Sequence, residues 1–441
     1  MCLVLVVYFF NYNLSKKKKT YTVSNLHKFK SNLLDYLRPH KCFCFLDSND
    51  SCSEESFNFL AAFQPKKQLI NCKHPFEDLQ KMINSSQDWL FGYLSYDLKN
   101  KIEALKSNNP DSLEFPSIHF FIPSIIIRAK KACVDIIYES SYSSVEIDDL
   151  YNHICTGNLI KKSISKIKVK PKVNKEDYIR NINLIKKHLQ AGDIYEMNYC
   201  QEFYADNVDL DPFFLFKNLN RFSQAPFSSL YRTDDNFCLC ASPERYLKKE
   251  GGEIMSQPIK GTIKRLKNPN LDLDNKKKLL NSAKDISENI MIVDLVRNDL
   301  SRIAAKGTVN VTELASLYSY ENVHHLISTI KCHLDKKYNI VDVIKATFPM
   351  GSMTGAPKIR AMELIEEFEN TLRGIYSGSI GYISPEQDFD FNVVIRSLFY
   401  NQKNQYLSFM VGGAITIESD PESEYQECLV KAQSILKVLG Q

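Results

Sequence analysis

The spacing of apolar side chains predicts helices and strands most clearly in the second half of the chain. After Asn174, apolar residues are separated by four, three and four positions, as on one face of a helix: Tyr178, Ile182, Ile185 and Leu189. Asn174 can accept hydrogen bonds from the first turn of such a helix, and Gly192 can end it. We therefore predict a helix between Asn174 and Gly192.

Strand-like runs alternate with helical patterns from there onward. The predicted strands are 236–241, 245–249, 253–264, 323–333, 375–384 and 391–400, and an earlier β-rich stretch covers 112–138. Helical patterns cover 272–304, begin near Pro357 and begin again after Asp420. Turn-linked strands with helices between them favour an α+β fold of antiparallel strands with helices packed outside.

The composition is that of a folded protein without a strong net charge. Of 441 residues, 44% are hydrophobic and 24% charged, which argues against disorder over most of the length. A formal net charge of +4 is too small to indicate nucleic-acid binding. The lysine runs at 16–19 and 161–175 contain no aromatic residues, so we interpret them as solvated or linker segments.

Neither a membrane segment nor a disulfide framework is indicated. The apolar stretch 3–10 is too short to span a bilayer, and its lysines follow it rather than precede it as in a secretory signal. The twelve cysteines include no Cys-x-x-Cys pair, so a zinc or dithiol site is not indicated. We interpret them as free thiols and expect a cytoplasmic protein.

Two predicted helices carry carboxylates one turn apart. Asp285 and Glu288 share a face of the first, and Glu424, Glu427 and Lys431 share a face of the second. On an arbitrary helix such residues usually form a solvated flank. If the two faces meet, they instead form an all-oxygen site of the kind that Mg²⁺ prefers.

Other segments are typical of ligand sites but have ordinary explanations as well. Pro258 and Gly261 interrupt a strand at Lys260, which by periodicity alone is equally a surface lysine. Small residues at 351–356 precede a helix and expose backbone donors to an anion, and the pair 412–413 is a second candidate anion nest.

Two basic side chains have unusual settings. His325 is adjacent to His324, and on a strand they point to opposite faces, so they do not form a metal pair. Two interpretations are possible: one of the two histidines faces a site, or both lie in the core. Arg396 lies in an apolar strand-like run, where a buried arginine needs a partner such as a bound carboxylate.

Together these segments resemble the chorismate-binding enzymes: anthranilate synthase component I, aminodeoxychorismate synthase component I, and the isochorismate and salicylate synthases. The resemblance runs from about Asn174 to the C-terminus and rests on Gly192-Asp193-Ile194-Tyr195, Ser242-Pro243-Glu244-Arg245, 292–299, 351–358 and Glu424-Tyr425-Gln426-Glu427. It implies a large two-layered antiparallel β-sandwich with outer helices. It also implies a catalytic region at 174–441 after an N-terminal region at 1–160 of the anthranilate synthase component I type.

The resemblance also implies roles for individual side chains. Glu244 would protonate the departing ring hydroxyl, and Lys260 would be a nucleophile, which requires a neutral amine and therefore a depressed pKa. Glu288 and Glu427 would bind Mg²⁺, with Asp285 and Glu424 in support. The remaining implied contacts are with substrate or with its charge: His325, Ser352, Tyr376, Arg396, Gly412, Gly413 and Lys431.

Two positions separate the activities within the family. Lys260, in Pro-Ile-Lys-Gly-Thr, is similar to aminodeoxychorismate synthases, whereas anthranilate synthases carry alanine there. Glu196 replaces both the water-activating lysine of isochorismate and salicylate synthases and the glutamine usual in ammonia users, and Ala414 replaces a usual glycine. The resemblance therefore implies a magnesium-dependent, transaminase-class amination of chorismate to 4-amino-4-deoxychorismate, for para-aminobenzoate and folate synthesis.

The ammonia source and two alternative functions follow from the same comparison. The sequence contains no Gly-x-Cys-x-Gly elbow of a glutaminase, so ammonia is expected from a glutaminase subunit or from solution. Anthranilate synthase component I is the alternative enzyme, and a chorismate-like ligand-binding module is the non-enzymatic one. Residues 45–48 resemble, weakly, the segment that binds regulatory tryptophan in anthranilate synthases, and we favour a structural role for them.

Overall fold

The fold is taken from a computed structural model that describes residues 16–51, 57–157 and 166–441. The apolar stretch 3–10 and residues 161–165 of the lysine-rich segment lie outside the described residues. The boundary proposed between 160 and 174 lies partly there, so the division into two regions stays a prediction. Among the described helices, none is both long enough and apolar enough to cross a bilayer.

The elements alternate throughout the described chain. The strands are β1 Lys16–Thr22, β2 Cys42–Asp47, β3 Phe59–Ile70, β4 Leu90–Leu94, β5 Ile118–Lys130, β6 Cys133–Glu139, β7 Lys170–Pro171, β8 Glu196–Ala205, β9 Phe227–Thr233, β10 Asn236–Ser242, β11 Arg245–Glu250, β12 Glu253–Gln257, β13 Ile259–Lys264, β14 Asn310–Ser319, β15 Val323–His333, β16 Gly355–Ala356, β17 Ser379–Ile383, β18 Phe389–Asn392, β19 Ser397–Asn401 and β20 Tyr406–Ile415. The helices are α1 Leu26–Tyr36, α2 Pro75–Ser86, α3 Lys99–Ile102, α4 Ser144–Thr156, α5 Lys175–Ala191, α6 Pro212–Ser223, α7 Pro269–Leu280, α8 Ala283–Ser301, α9 Ile340–Thr347, α10 Lys358–Phe368 and α11 Pro421–Val438, with 3₁₀ turns at Tyr96–Leu98 and Gly351–Met353.

The strands form two antiparallel layers that share β3 and β5. One layer runs β1–β6–β5–β3–β2–β9–β10–β19–β20–β8. The other runs β3–β5–β4–β17–β18–β11–β12–β15, with β13 and β14 also paired to β15. The register of β3 against β5 shifts between Pro65 and Lys67, where these strands pass from one layer to the other.

The first half of strand β3, residues 59–63, is continuously apolar and buried. Its alternate residues Ala61 and Phe63 face an outer core beneath α1, α5, α6 and α11. Leu60 and Ala62 face an inner core that also contains Phe391 of the other layer. Because both faces of this half are buried, no polar alternation appears in it, whereas the second half of the strand is more exposed and contains Lys66 and Lys67. The predicted α+β class, with antiparallel strands and outer helices, is confirmed.

The predicted ends of several helices are confirmed. Helix α5 has Asn174 as N-cap and Gly192, with φ of 80°, as C-cap. Helix α11 begins at Pro421 after the N-cap Asp420. The single helical pattern at 272–304 is instead two helices. Helix α7 ends before its C-cap Asn281, and Ser282 is the N-cap of α8.

Two predicted strands are broken at places that matter for the site. The return strand 253–264 divides into β12 and β13 at Pro258, which lacks the N–H that a ladder requires. The run 391–400 divides into β18 and β19, and Arg396 lies between them with φ of 52°. The placement of Arg396 within a strand was therefore wrong, since this left-handed conformation ends the ladder.

Candidate active site

A cavity of about 490 Å³ lies where β13, β20, α8 and α11 meet the segments that precede β11 and β19. Eleven of the thirteen predicted site residues line it: Glu244, Lys260, Asp285, Glu288, Ser352, Tyr376, Arg396, Gly412, Gly413, Glu427 and Lys431. His325 and Glu424 lie behind the wall. The sequence-predicted residues, which span nearly two hundred positions, therefore converge on one place.

Glu244 is a buried carboxyl at the start of β11. Its side chain accepts a 2.7 Å hydrogen bond from the Ser352 hydroxyl. Burial raises the pKa of Glu244 to about 7, although Ser352, Lys260 and Arg396 each oppose the rise. A carboxyl with this pKa is protonated in an appreciable fraction of molecules at neutral pH, which is what a general acid requires.

Lys260 projects from β13 into the same cavity and is held by Glu196. The Lys260 ammonium donates to Glu196 Oε1 at 2.7 Å, and Glu196 Oε2 is buried without a hydrogen-bond partner. Burial alone would lower the pKa of Lys260, but the carboxylates of Glu196, Glu288 and Glu244 outweigh it, so the pKa is raised. The expected depression is therefore wrong for the protein without substrate or metal.

Arg396 supplies a positive charge at another wall of the cavity. Within the described residues, its guanidinium makes no hydrogen bond or ion pair, and its left-handed backbone turns it out of the β18–β19 ladder. Burial lowers the pKa of Arg396, partly opposed by Glu244. Tyr376 lines the same cavity, with its hydroxyl 3.5 Å from Cys200 Sγ. This arrangement can receive a carboxylate.

His325 reaches the cavity wall through another side chain. Its Nδ1 lies 2.8 Å from Thr262 Oγ1, and Thr262 lines the cavity. Burial lowers the pKa of His325 well below its usual range, so the ring is neutral. His324 points the other way, to Asp272 and Ser319. The two rings therefore face opposite sides of β15, as expected.

The carboxylates of α8 and α11 form the acidic side of the cavity. Glu288 Oε1 is buried without a hydrogen-bond partner, and burial raises the pKa of Glu288 to about 7. Glu427 pairs with Lys431 at 2.8 Å, and Lys431 also donates to the Gly412 carbonyl at 2.7 Å. Glu424 accepts from Ser419 at 2.7 Å.

One lysine joins the two helices across this acidic side. Lys284 Nζ lies 3.1 Å from Glu424 Oε1 and 3.9 Å from Glu288 Oε1. Within the described parts of the chain, no three His, Cys, Asp or Glu side chains already converge on one point as metal ligands. Magnesium does not need such a cage, because it commonly keeps several waters and takes only one or two carboxylates together with substrate oxygens. The orphaned oxygen of Glu288 and the all-carboxylate donor set fit that mode.

The β20 wall requires glycine at Gly412 and is tight at Gly413. A Cβ at Gly412 would come within 2.1 Å of the Tyr199 carbonyl, and one at Gly413 within 3.3 Å of Glu424 Oε2. The absence of side chains therefore lets β20 approach both β8 and the carboxylates of α11.

Comparison with known proteins decides the family. A family model described as chorismate binding enzyme matches residues 39–437. The chain belongs to the chorismate-binding enzymes. The matched residues begin well before Asn174. The N-terminal part of the chain therefore belongs to the family match together with the predicted catalytic region.

Relatives within the family include two bacterial proteins. Aminodeoxychorismate synthase component 1 of Salmonella typhimurium is 36% identical over 357 residues, which are 80% of this chain and 77% of that protein. The Escherichia coli protein of the same name is 42% identical over 267 residues, 60% of this chain and 58% of its own length.

A solved structure of the family confirms the fold. Anthranilate synthase component I from Streptococcus pneumoniae matches with a TM-score of 0.74 at 24% identity, over 99% of this chain and 95% of that one. This similarity concerns the fold alone, and it supports the two-layered sandwich with outer helices.

Among the charged residues that line the cavity, Lys284 is the one that sequence reasoning missed. Its spacing of four from Glu288 is the available signal, because residues four apart share a helix face. Glu196 was noticed as a departure from the family pattern, but its contact with Lys260 depends on how β8 and β13 are placed by the sheets.

A second cavity, of about 340 Å³, lies away from these residues. Asp47, Ser48 and Trp89 contribute to its lining. Asp47 pairs with Lys30 at 2.8 Å and accepts from Asn220 at 2.7 Å. These contacts are consistent with the structural role favoured for residues 45–48.

Proposed function

We propose that the chain aminates chorismate with ammonia to give 4-amino-4-deoxychorismate, as the chorismate-aminating component of an aminodeoxychorismate synthase. The observation that carries the proposal is that Lys260 lines the same cavity as Glu244. The names of the Salmonella and Escherichia relatives support it. The product would then serve para-aminobenzoate and folate synthesis.

The two side chains have complementary tasks in this reaction. Glu244 gives its proton to the hydroxyl that leaves C4 of the ring, while the Lys260 amine attacks C2. Ammonia then adds at C4 and the C2–N bond to Lys260 breaks, so that nitrogen ends para to the ring carboxylate. The Ser352 hydroxyl, 2.7 Å from Glu244, holds the acid in place.

The amine of Lys260 has to lose a proton before it can attack. In the structure it is an ammonium paired to Glu196, and its pKa is raised. The charge in the cavity changes when substrate and the cation bind. The contact with Glu196 determines how large that change must be before Lys260 loses its proton. A buried pair of this kind resists the loss of either charge.

Substrate carboxylates are held at the basic wall. Arg396 has no partner among the described residues and therefore has its donors available to a ligand. Tyr376 and the Gly412–Gly413 segment line the same wall. Thr262, backed by the neutral His325, faces the ring side of the cavity.

Magnesium is proposed as the cofactor, held by Glu288 and Glu427 with Asp285 and Glu424 in support. When bound, a divalent cation offsets the repulsion between these side chains and an anionic substrate. Lys431 compensates Glu427 and thereby limits the excess negative charge on this side.

Ammonia is proposed to come from a separate glutaminase subunit. The relatives are named component 1, and a protein named as one component is expected to have a partner component, here one that supplies nitrogen.

The cysteines described in the structure are all free, which supports a reducing compartment and a cytoplasmic protein.

Product analysis tests the proposal directly. The purified chain is incubated with chorismate, MgCl₂ and excess ammonium near neutral pH, and the product is identified by mass. An amino product that keeps its enolpyruvyl ether is expected. Anthranilate, which has lost that group, would instead establish the anthranilate synthase alternative, and no turnover would favour a ligand-binding module.

A further inference from the structure

Lys284 occupies an unusual place for a lysine. It is the second residue of α8, where the partial positive charge of the helix N-terminus disfavours a cation. Its side chain is 47% exposed, whereas those of Glu288 and Glu424 are 11% and 4% exposed. The presence of a lysine at this position therefore does not stabilise α8. Its attraction to the two buried carboxylates, Glu288 and Glu424, explains it instead.

The contacts of Lys284 leave those carboxylates only partly compensated. The ammonium is within hydrogen-bond distance of Glu424, at 3.1 Å, but stays 3.9 Å from Glu288 Oε1, which has no hydrogen-bond partner. Lys260 also offsets the charge of Glu288, but a buried carboxylate oxygen without a hydrogen-bond partner is still destabilising. A divalent cation placed near both carboxylates compensates them better than one ammonium that reaches from the rim.

We propose that Lys284 is the internal counter-ion of the metal site: its ammonium neutralises Glu288 and Glu424 in the metal-free protein and competes with the divalent cation for them. The inference rests on the proposed magnesium requirement and adds a residue to it. Because the side chain is about half exposed, it can leave for solvent when the metal binds.

Manganese serves as a spectroscopic probe of the competition. Free Mn²⁺ is measured by electron paramagnetic resonance during titration of metal-free protein without chorismate. Lys284→Met is expected to bind Mn²⁺ roughly tenfold more tightly than the wild type, equivalent to about 1.4 kcal/mol of removed competition. Lys284→Arg keeps the charge and is expected to stay within about threefold of the wild type.

Thermal unfolding gives an independent readout. Metal-free Lys284→Met is expected to melt below the wild type, because its carboxylates lose their counter-ion, and MgCl₂ is expected to raise its Tm by more than it raises that of the wild type. Lys437→Met, at the far end of α11, removes an equivalent charge away from the site and is expected to change neither the Mn²⁺ affinity nor the size of the Tm rise that MgCl₂ produces.

The outcomes separate this inference from the function on which it rests. Equal or weaker Mn²⁺ binding by Lys284→Met, in a protein whose wild type needs metal for turnover, overturns the counter-ion role alone. Wild-type turnover in excess chelator overturns the magnesium requirement and the counter-ion role together. Tighter binding by Lys284→Met but not by Lys284→Arg supports the inference.

Discussion

At the scale of single residues, burial decides what Glu244 can do. An exposed glutamate is ionised at neutral pH and has no proton to give. Burial raises the pKa of Glu244 to about 7, and Ser352 fixes its orientation. The two residues are more than one hundred positions apart in sequence, so only the fold brings them together.

Glu244→Gln is expected to bind chorismate with near wild-type affinity and to turn it over about a hundredfold to ten-thousandfold more slowly. Because the competent form is protonated, the contribution of Glu244 should be complete at acidic pH, fall to about half near pH 7 and decline further as the pH rises. A pH profile of kcat checks this. A wild-type rate in the variant would remove Glu244 from the mechanism.

The pairing of Lys260 with Glu196 gives a second test, in which the charge of Glu196 is removed and the pKa of Lys260 is expected to fall. Glu196→Gln removes a carboxylate that raises the pKa of Lys260 and leaves burial, which lowers it, less opposed. The neutral amine should then appear at lower pH. We expect the pH dependence of covalent adduct formation on Lys260, followed by peptide mass spectrometry with chorismate and no ammonia, to shift toward acid.

The control for that test lies on the same strand. Glu202 is also a buried carboxylate of β8, but it accepts hydrogen bonds from Tyr406 and Ser408, away from the cavity. Glu202→Gln should leave the pH dependence of the adduct unchanged. A shift toward alkali in Glu196→Gln, or none at all, would contradict the role given to the ion pair.

At the scale of elements, the sequence predicts what depends on neighbours in the chain. The caps of α5 and α11 were found because capping is local, within three residues. The break between α7 and α8 was missed although Ser282 is a good cap, because the apolar pattern runs through it. The turn at Arg396 was missed because its φ of 52° is imposed by the surrounding fold on an apolar run.

The acidic faces of α8 and α11 make the magnesium proposal testable at this scale. Glu288→Gln and Glu427→Gln each remove one charge from one helix, and each is expected to abolish turnover without unfolding the chain. Glu288→Gln should be no less stable than the wild type, since the buried Glu288 Oε1 has no hydrogen-bond partner to lose. Turnover assays alongside thermal unfolding check both statements, and full activity in excess chelator would contradict them.

At the scale of the whole molecule, the pairing of strands distant in sequence builds the site. Strand β2 pairs with β9 and β4 with β17, across separations that no local pattern encodes. The antiparallel class could be predicted because the strands are short and turn-linked, but the order of the two layers could not. The family resemblance, rather than periodicity, supplied the two-layered sandwich.

The wall of the cavity depends on one buried ion pair that the sequence did not single out. Arg373 donates to both carboxylate oxygens of Glu369 and to the carbonyls of Met353 and Asn198, and Glu369 also accepts from the Cys200 N–H. These bonds tie the end of α10 to β8 and to the 3₁₀ turn that carries Ser352. Both side chains of the pair are 1% exposed.

Arg373→Met is therefore expected to lower the free energy of unfolding by about 3–5 kcal/mol, since it leaves a buried carboxylate without its partner. Replacing both members, as Arg373→Met with Glu369→Leu, should be less harmful than the single change, because no charge is left buried alone. Urea denaturation measures both. Arg297→Met is the control: its pair with Asp294 is 52% and 62% exposed, so its loss should change stability by less than about 1 kcal/mol. A loss in Arg373→Met as small as that of the control would show that the pair does not hold the cavity wall together.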